Sequence, residues 1–488
     1  MFNCLALPPP ARKTPLALSL LLSVGLGLSL CACAPLMAPG NPKLLTAPAA
    51  WSTASGAGPG QAAVGVHAAD AALWWQQFND PELSHLMALA MQSNTSVQSA
   101  QAALAEARAS RDVAAAALWP SLDVSASASR ARSSGVTTRA YQYGLDAAWA
   151  PDLFGNQRNT LNASEANALA LSATLADAKL AVAAELALDY ITLRSTQERL
   201  AIAQENLASQ QETLQITQWR QQAGLVTELD VEQARTAAAQ TRAQVPLLQI
   251  SLAQSRHALA VLTGQEPAAL EAELSTVKRV PQGPSGFALE LPAETLRQRA
   301  DVRAAELQVA ASLARVAQAE AARWPSFSLS GSIGLKSLSL GGDRSGVSSL
   351  LGSVTLPIFD AGALRAQVRV QEAALAQVDA SYRATVLTAL KDVEDALVAL
   401  RGDRERLGDL AQAADAARQA ATLARQRYGS GLIDFQTVLE TQRTQLSTQD
   451  TLASAAALVS SDQVRLFQAL GGGWQRDEDN ENSKRSQP

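Results

Sequence analysis

The chain is poor in the residues that usually carry chemistry. It has three cysteines, Cys4, Cys31 and Cys33, and none after position 33, so the body holds no disulfide and no cysteine metal site. His67, His85 and His257 stand singly. No pair of them has ligand spacing, and no Gly-rich phosphate loop occurs. Neither an enzyme nor a cofactor-binding protein is indicated. Forty Lys and Arg face 45 Asp and Glu, a net charge of −5 without a basic stripe for nucleic acid. After residue 33 no apolar run approaches the ~20 residues of a membrane helix. If this body crosses a membrane, it does so as β-strands. Asn156–Gln222 contains neither Pro nor Gly, the usual helix breakers.

The N-terminus reads as a lipoprotein signal peptide over residues 1–32. Arg12 and Lys13 precede an apolar stretch from Pro15 to Leu30, and Leu30-Cys31-Ala32-Cys33 is similar to a bacterial lipobox. Cys33 is the expected lipidation site. Cys31 fits less well, because Leu30 would then occupy the small-residue position. An ordinary cleaved signal and an uncleaved anchor are the alternatives. Ala34 is not the Asp associated with inner-membrane retention, which favours the outer membrane of a Gram-negative bacterium. From Cys33 onward the charge is −7, since Arg12 and Lys13 leave with the signal. Residues 33–73 are expected to form a lipid tether, and 475–488 a disordered tail.

The body repeats itself. Trp119-Pro120-Ser121 returns as Trp324-Pro325-Ser326. Leu186, Leu193, Leu200, Leu207 and Leu214 recur every seven residues, as do Val393, Leu400, Leu407, Ala414 and Ala421. Gly224 corresponds to Gly431, and Gly264 to Gly471. Such a period sets the architecture before any local motif does. The first repeat is placed at 74–270: a helix over 82–118, a β-hairpin at 120–150 and a long helical hairpin at 156–263. An equatorial linker spans 271–293. The second repeat, 294–474, has a helix, a hairpin at 325–358 and a helical hairpin at 362–470. Leu122, Val124, Ala126 and Ala128 alternate with Asp123, Ser125, Ser127 and Ser129. Phe327, Leu329, Gly331 and Ile333 alternate with serines, which gives each strand one apolar face. Strands of about ten residues, on either side of a Ser/Gly/Thr loop, suffice to cross a bilayer. The long helices should reach on the order of 100 Å, and their seven-residue period predicts a left-handed coiled coil. Pro246 should bend the first return helix. A return helix and the ascending helix that follows it in sequence are expected to match one long descent.

Four strands cannot close a barrel, and an open edge in lipid leaves unpaired backbone groups. Copies must therefore close the sheet; two would give eight strands, three twelve. At this point the sequence resembles the TolC-type outer membrane factors, specifically the lipoprotein branch called NodT-like or OprM-like. The resemblance rests on Trp74-Trp75-Gln76-Gln77-Phe78-Asn79-Asp80-Pro81, Asp152-Leu153-Phe154-Gly155, Gly224-Leu225-Val226 through Arg235, Asp301-Val302-Arg303, Arg427-Tyr428-Gly429-Ser430-Gly431 and Leu470-Gly471-Gly472-Gly473-Trp474. It implies an α+β membrane protein, a homotrimer whose 12-stranded outer-membrane β-barrel continues into a periplasmic α-helical coiled-coil barrel. The implied partners are outer membrane lipid, a periplasmic membrane-fusion adaptor and an inner-membrane pump of the resistance-nodulation-division (RND) type. No cofactor and no nucleic acid are implied. The implied function is an exit duct for small toxic molecules or drugs. The alternatives are the duct of a type I, ABC-driven protein secretion system and a structural coiled-coil spacer.

By the same resemblance, Gly224, Leu225, Gly431 and Leu432 form the docking tips. Asp230, Tyr428, Glu440 and Arg427 are candidate gate residues, with Arg427 or Arg220 as partner for Asp230. Ile433 stands where the family commonly has Arg, Thr437 at an acidic-ring position, and Ala300 where Pro is common. Trp119, Trp149 and Trp324 are expected at the membrane interface. Each has a plainer reading: the glycines permit turns, Asp230 starts a helix, Tyr428 packs in the helical seam, and the tryptophans pack helix against strand.

Overall fold

A computed structural model describes residues 73–284, 296, 298–338 and 343–472. The lipidation site Cys33, the signal peptide, the tether up to residue 72, part of the equatorial linker, Gly473-Trp474 and the tail lie outside the described residues.

The elements follow the two-fold repeat closely. The first repeat contains α1 (Pro81–Ser93), α2 (Thr95–Ala116), β1 (Ser121–Ser133), β2 (Val136–Trp149), α3 (Asn156–Gln222) and α4 (Glu228–Leu262). The second contains α5 (Ala300–Ala321), β3 (Ser326–Ser337), β4 (Ser345–Thr355), α6 (Ala363–Gly429) and α7 (Phe435–Ala469). Helices α3 and α6 have 67 residues each, and α4 and α7 have 35 each. At a rise of ~1.5 Å per residue the long pair reaches about 100 Å. Helix α6 runs straight through the exposed Gly402 and Gly408. Helix α4 continues through Pro246, which has no N–H to give to the Arg242 carbonyl.

Three expectations need correction. The helix over 82–118 is two helices. Asn94 leaves the helical region (φ −66°, ψ 129°), and its Oδ1 accepts from the amides of Ser96 and Val97 to start α2 afresh. The Ser/Gly/Thr loop of the first hairpin is mostly strand. Ser134 (φ 49°) and Gly135 (φ 82°) make a two-residue turn, and pairing continues to Ser133–Val136. Two successive positive φ values match the right-handed strand twist and let the strands zip fully. Helix ends also meet within a repeat rather than across the linker. Asn94 Nδ2 donates to the Leu262 carbonyl at the end of α4 (2.9 Å), and Arg299 Nη1 donates to the Ala469 carbonyl at the end of α7 (2.9 Å). Thus α4 abuts α2, and α7 abuts α5. Gly264 is needed at the first junction: its φ is +70°, and a Cβ there would lie 2.4 Å from the Ser93 carbonyl oxygen.

The largest core sits at these junctions. Trp74, Trp75 and Phe78 pack with Leu83, Leu86, Leu186, Tyr190, Leu193 and Phe467, and Trp74 stacks on Phe467 at 5.5 Å. Leu270, at the end of the first repeat, and Leu274 and Val280 of the linker join it. Further down α3 the heptad leucines Leu200, Leu207 and Leu214 are only half-buried. The residues withdrawn from solvent there are Ala203, Asn206, Gln210, Thr213 and Thr217. Hydrogen bonds tie this stretch to the second repeat: Asn206 to Gln449, Gln442 to Thr213 and Arg425 to the neighbouring Ser209, at 2.8–2.9 Å.

Candidate functional site

Two regions carry the functional expectations: the sheet and the tips of the helical hairpins. The sheet is antiparallel with order β1-β2-β3-β4, so β1 and β4 are open edges. Register unites the alternation of all four strands. Leu122 pairs Ala147; Val124 pairs Leu145, which pairs Ile333; Tyr143 pairs Leu335; Trp149 pairs Leu329; Phe327 pairs Val354. Paired residues share a face, so one face is apolar from edge to edge. The other carries Asp123, Asp146, Gln142, Lys336 and serines, with Ser328–Ser353 and Ser332–Ser349 hydroxyl contacts at 2.7 and 2.8 Å. Both faces are largely exposed in the single chain.

The three tryptophans lie at the helix-proximal end of the sheet. Trp149 Nε1 donates to the Leu118 carbonyl (3.0 Å), Trp324 stacks on Phe154 (5.6 Å), and Trp119 is exposed. Trp149 and Trp324 therefore have packing partners, while keeping exposed surface.

Each tip is built by backbone geometry. After α3, Gly224 takes φ +68° and the Leu225 amide bonds back to Arg220 O (2.8 Å). After α6, Gly431 takes φ +75° and the Leu432 amide bonds to Arg427 O (2.9 Å). This six-to-one closure needs a left-handed residue, which glycine supplies without strain. It projects Leu225 (67% exposed) and Leu432 (74% exposed) outward. The return helices are capped at once. Thr227 Oγ1 accepts from the Asp230 amide, and the Asp230 carboxylate accepts from the Thr227 amide (2.9 Å) and hydroxyl (2.8 Å). Asp434 caps α7, and the Thr437 hydroxyl and amide hold its carboxyl below the usual carboxylate range.

Within one chain, the candidate gate residues are not joined as a set. Asp230 is engaged by Thr227, while Arg427 and Glu440 are exposed. Tyr428 is 4% exposed and packs with Phe435, Ala424, Ala234 and Val438. Ile433 lies against the same cluster. Arg220 meets Tyr428 instead of Asp230: its guanidinium carbon is 4.3 Å from the ring centroid, and Nη1 donates to the Tyr428 carbonyl (2.5 Å). Sequence reasoning also passed over Trp219, 60% exposed beside the first tip. A tryptophan in the last turn of an Ala- and Gln-rich helix was its signal.

Above the tips, a buried polar knot ties the N-terminal segment to α3. Arg194 contacts Glu82 (2.7 Å), Tyr190 Oη (2.9 Å), Gln197 (2.8 Å) and the Thr276 carbonyl (2.8 Å), and Tyr190 donates to Asp80 (2.7 Å). Burial first, and then the bond to Asp80, push the Tyr190 phenol up, so it stays a donor. In α7, Asp462 is nearly inaccessible. Burial and the neighbouring Asp403 raise its carboxyl to about 6, with Arg465 pulling it down.

Similarity to known proteins agrees with this geometry. The family model "Outer membrane efflux protein" matches residues 86–265 and 291–472. Nodulation protein T of Rhizobium leguminosarum bv. viciae is 32% identical over 405 residues, covering 82% of this chain and 84% of that protein. The solvent efflux pump outer membrane protein SrpC of Pseudomonas putida is 32% identical over 414 residues, covering 81% and 86%. The solved outer-membrane channel OprN superposes with a TM-score of 0.82 at 34% identity, covering 90% of this chain and all of that one. A duct, not an enzyme, is what this family provides. On the family model and these identities, the chain belongs to the outer membrane efflux protein family.

Proposed function

We propose that this chain is the outer-membrane exit duct of a tripartite efflux system, working as a homotrimer. Its substrates are small toxic molecules or drugs, delivered by an inner-membrane RND-type pump through a periplasmic membrane-fusion adaptor. The observation that carries this is the sheet: one face is apolar from edge to edge, and both edges are open. In hydrocarbon each unpaired backbone group costs several kcal/mol. Joining β4 of one copy to β1 of the next removes the edges, and three copies give a 12-stranded barrel, an even number within the usual range. The apolar face then meets lipid, and the Asp- and Ser-bearing face lines water. The paired ~100 Å helices extend the same closure into the periplasm. Cys33 anchors the chain in the outer membrane.

The tips are the adaptor-docking surface, with Gly224 and Gly431 setting the turns and Leu225 and Leu432 presented to the adaptor. The entrance is held by Tyr428 with Arg220, while Asp230, Glu440 and Arg427 face neighbouring copies. Relatives named for solvent and toluene efflux support small apolar compounds as cargo. The test is photo-crosslinking from Leu225 and Leu432 in the native cell. Capture of an adaptor of a proton-driven pump is expected. Capture of an ABC-exporter adaptor would overturn the RND assignment, and capture of cell-wall components alone would overturn the duct.

A further inference from the structure

The apolar face of the sheet carries three charged side chains among its described strand residues, and all three are cations. Arg130 and Arg132 on β1 share that face with Leu122, Val124, Ala126 and Ala128, and Arg139 on β2 shares it with Tyr141, Tyr143 and Leu145. Arg130 and Arg139 are direct cross-strand partners. Like charges placed directly opposite destabilise a sheet unless a counter-charge lies between them. The described strand residues provide none on this face: their carboxylates, Asp123 and Asp146, stand opposite each other in register on the other face. Across the open edge, β4 of a neighbouring copy would stand beside β1, and Ser345–Thr355 contains no charged residue. All three arginines are exposed.

Their height fits a membrane boundary. Arg139 lies ten residues along β2 from Trp149, with Tyr141 and Tyr143 just below it. Ten residues at ~3.4 Å, tilted by ~40°, rise about 26 Å, the height of an outer-membrane apolar band of ~25 Å. Trp149 thus marks one boundary, and the tyrosines followed by arginines mark the other. The Ser134–Gly135 turn beyond them is the end of the sheet away from the helices.

We infer that Arg130, Arg132 and Arg139 form a docking site for the phosphate groups of the phosphorylated glycolipid (lipid A-type) of the outer leaflet. This rests on the barrel reading above. Guanidinium groups suit phosphate oxygens through paired N–H donors. A diphosphorylated sugar headgroup at that depth neutralises the opposed arginines while its acyl chains cover the apolar rows beneath.

The test is native mass spectrometry of the full-length protein titrated with bisphosphorylated lipid A, its dephosphorylated form and phosphatidylglycerol. Single-channel recording runs in parallel. Wild type should prefer bisphosphorylated lipid A over both other lipids. The Arg130→Thr/Arg132→Thr/Arg139→Thr variant should bind it on the order of 100-fold more weakly, given three membrane-surface cations. Its conductance should be unchanged, which shows an intact channel. The triple Arg→Lys variant should keep most of the binding. Equal binding by the Thr variant, or equal binding of dephosphorylated lipid A or of phosphatidylglycerol, overturns the site while leaving the barrel. Absence of conductance in wild type overturns the barrel reading and the site with it.

Discussion

Arg220, in the last turn of α3, sits over the Tyr428 ring and donates to the Tyr428 carbonyl, so one hairpin tip holds the other. The Tyr428 hydroxyl has no hydrogen-bond partner among the described residues, so the clasp uses the ring face and the backbone rather than the phenol. A cation on a ring plus a charged hydrogen bond contribute roughly 1–3 kcal/mol. That is weak enough for an adaptor to release.

Arg220→Ala should therefore raise single-channel conductance in planar bilayers, whereas Tyr428→Phe should leave it near wild type. Equal conductance of wild type and Arg220→Ala would sink the clasp.

The buried Arg194 knot should be a stability determinant. Arg194→Met leaves Glu82 with Lys278 as its remaining salt-bridge partner and strips a donor from Tyr190 Oη and the Thr276 carbonyl. Breaking a buried pair from one side costs about 3 kcal/mol. Thermal unfolding should shift down markedly, with protease cleavage appearing first near Trp74–Phe78.

Leu193 and Leu207 occupy the same heptad series but should fail differently. Leu193 is fully buried within the chain, whereas Leu207 is half-buried. Leu193→Asp should abolish folding of the subunit, because an unpaired charge would be buried. Leu207→Asp should leave folded subunits that associate poorly. Circular dichroism and native mass spectrometry separate the two outcomes.

Asp462 supplies a pH test. Its carboxyl is raised to about 6 by burial and Asp403. A raised carboxyl favours the folded state at low pH, and that contribution is lost as pH rises through about 6. Asp462→Asn should stabilise the protein above pH 6, by on the order of 1–2 kcal/mol, and the gain should vanish towards pH 4. Melting temperatures of both proteins across that range check the sign.

Much of this was legible in sequence because the underlying periods are local. Glu228–Leu262 and Asn156–Gln222 were bounded by Gly224, Gly264 and the absence of breakers, so their limits agree with the structure. The alternation beginning at Leu122 and at Phe327 placed both hairpins. The break at Asn94 was not legible, because its second function, bonding the Leu262 carbonyl, involves a residue 168 positions away. The Arg220–Tyr428 contact spans 208 positions and was likewise invisible.

The sequence by itself determined the two-fold repeat, the helix and strand types and the glycine turns at the helical tips, because backbone propensity, side-chain period and glycine's access to positive φ act within a few residues. Tertiary structure alone decided which helix ends meet, which residues of α3 are withdrawn from solvent and that all four strands turn their apolar sides the same way. Those outcomes depend on register and on side chains brought together from distant positions, and burial is a property of the surrounding elements rather than of the residue.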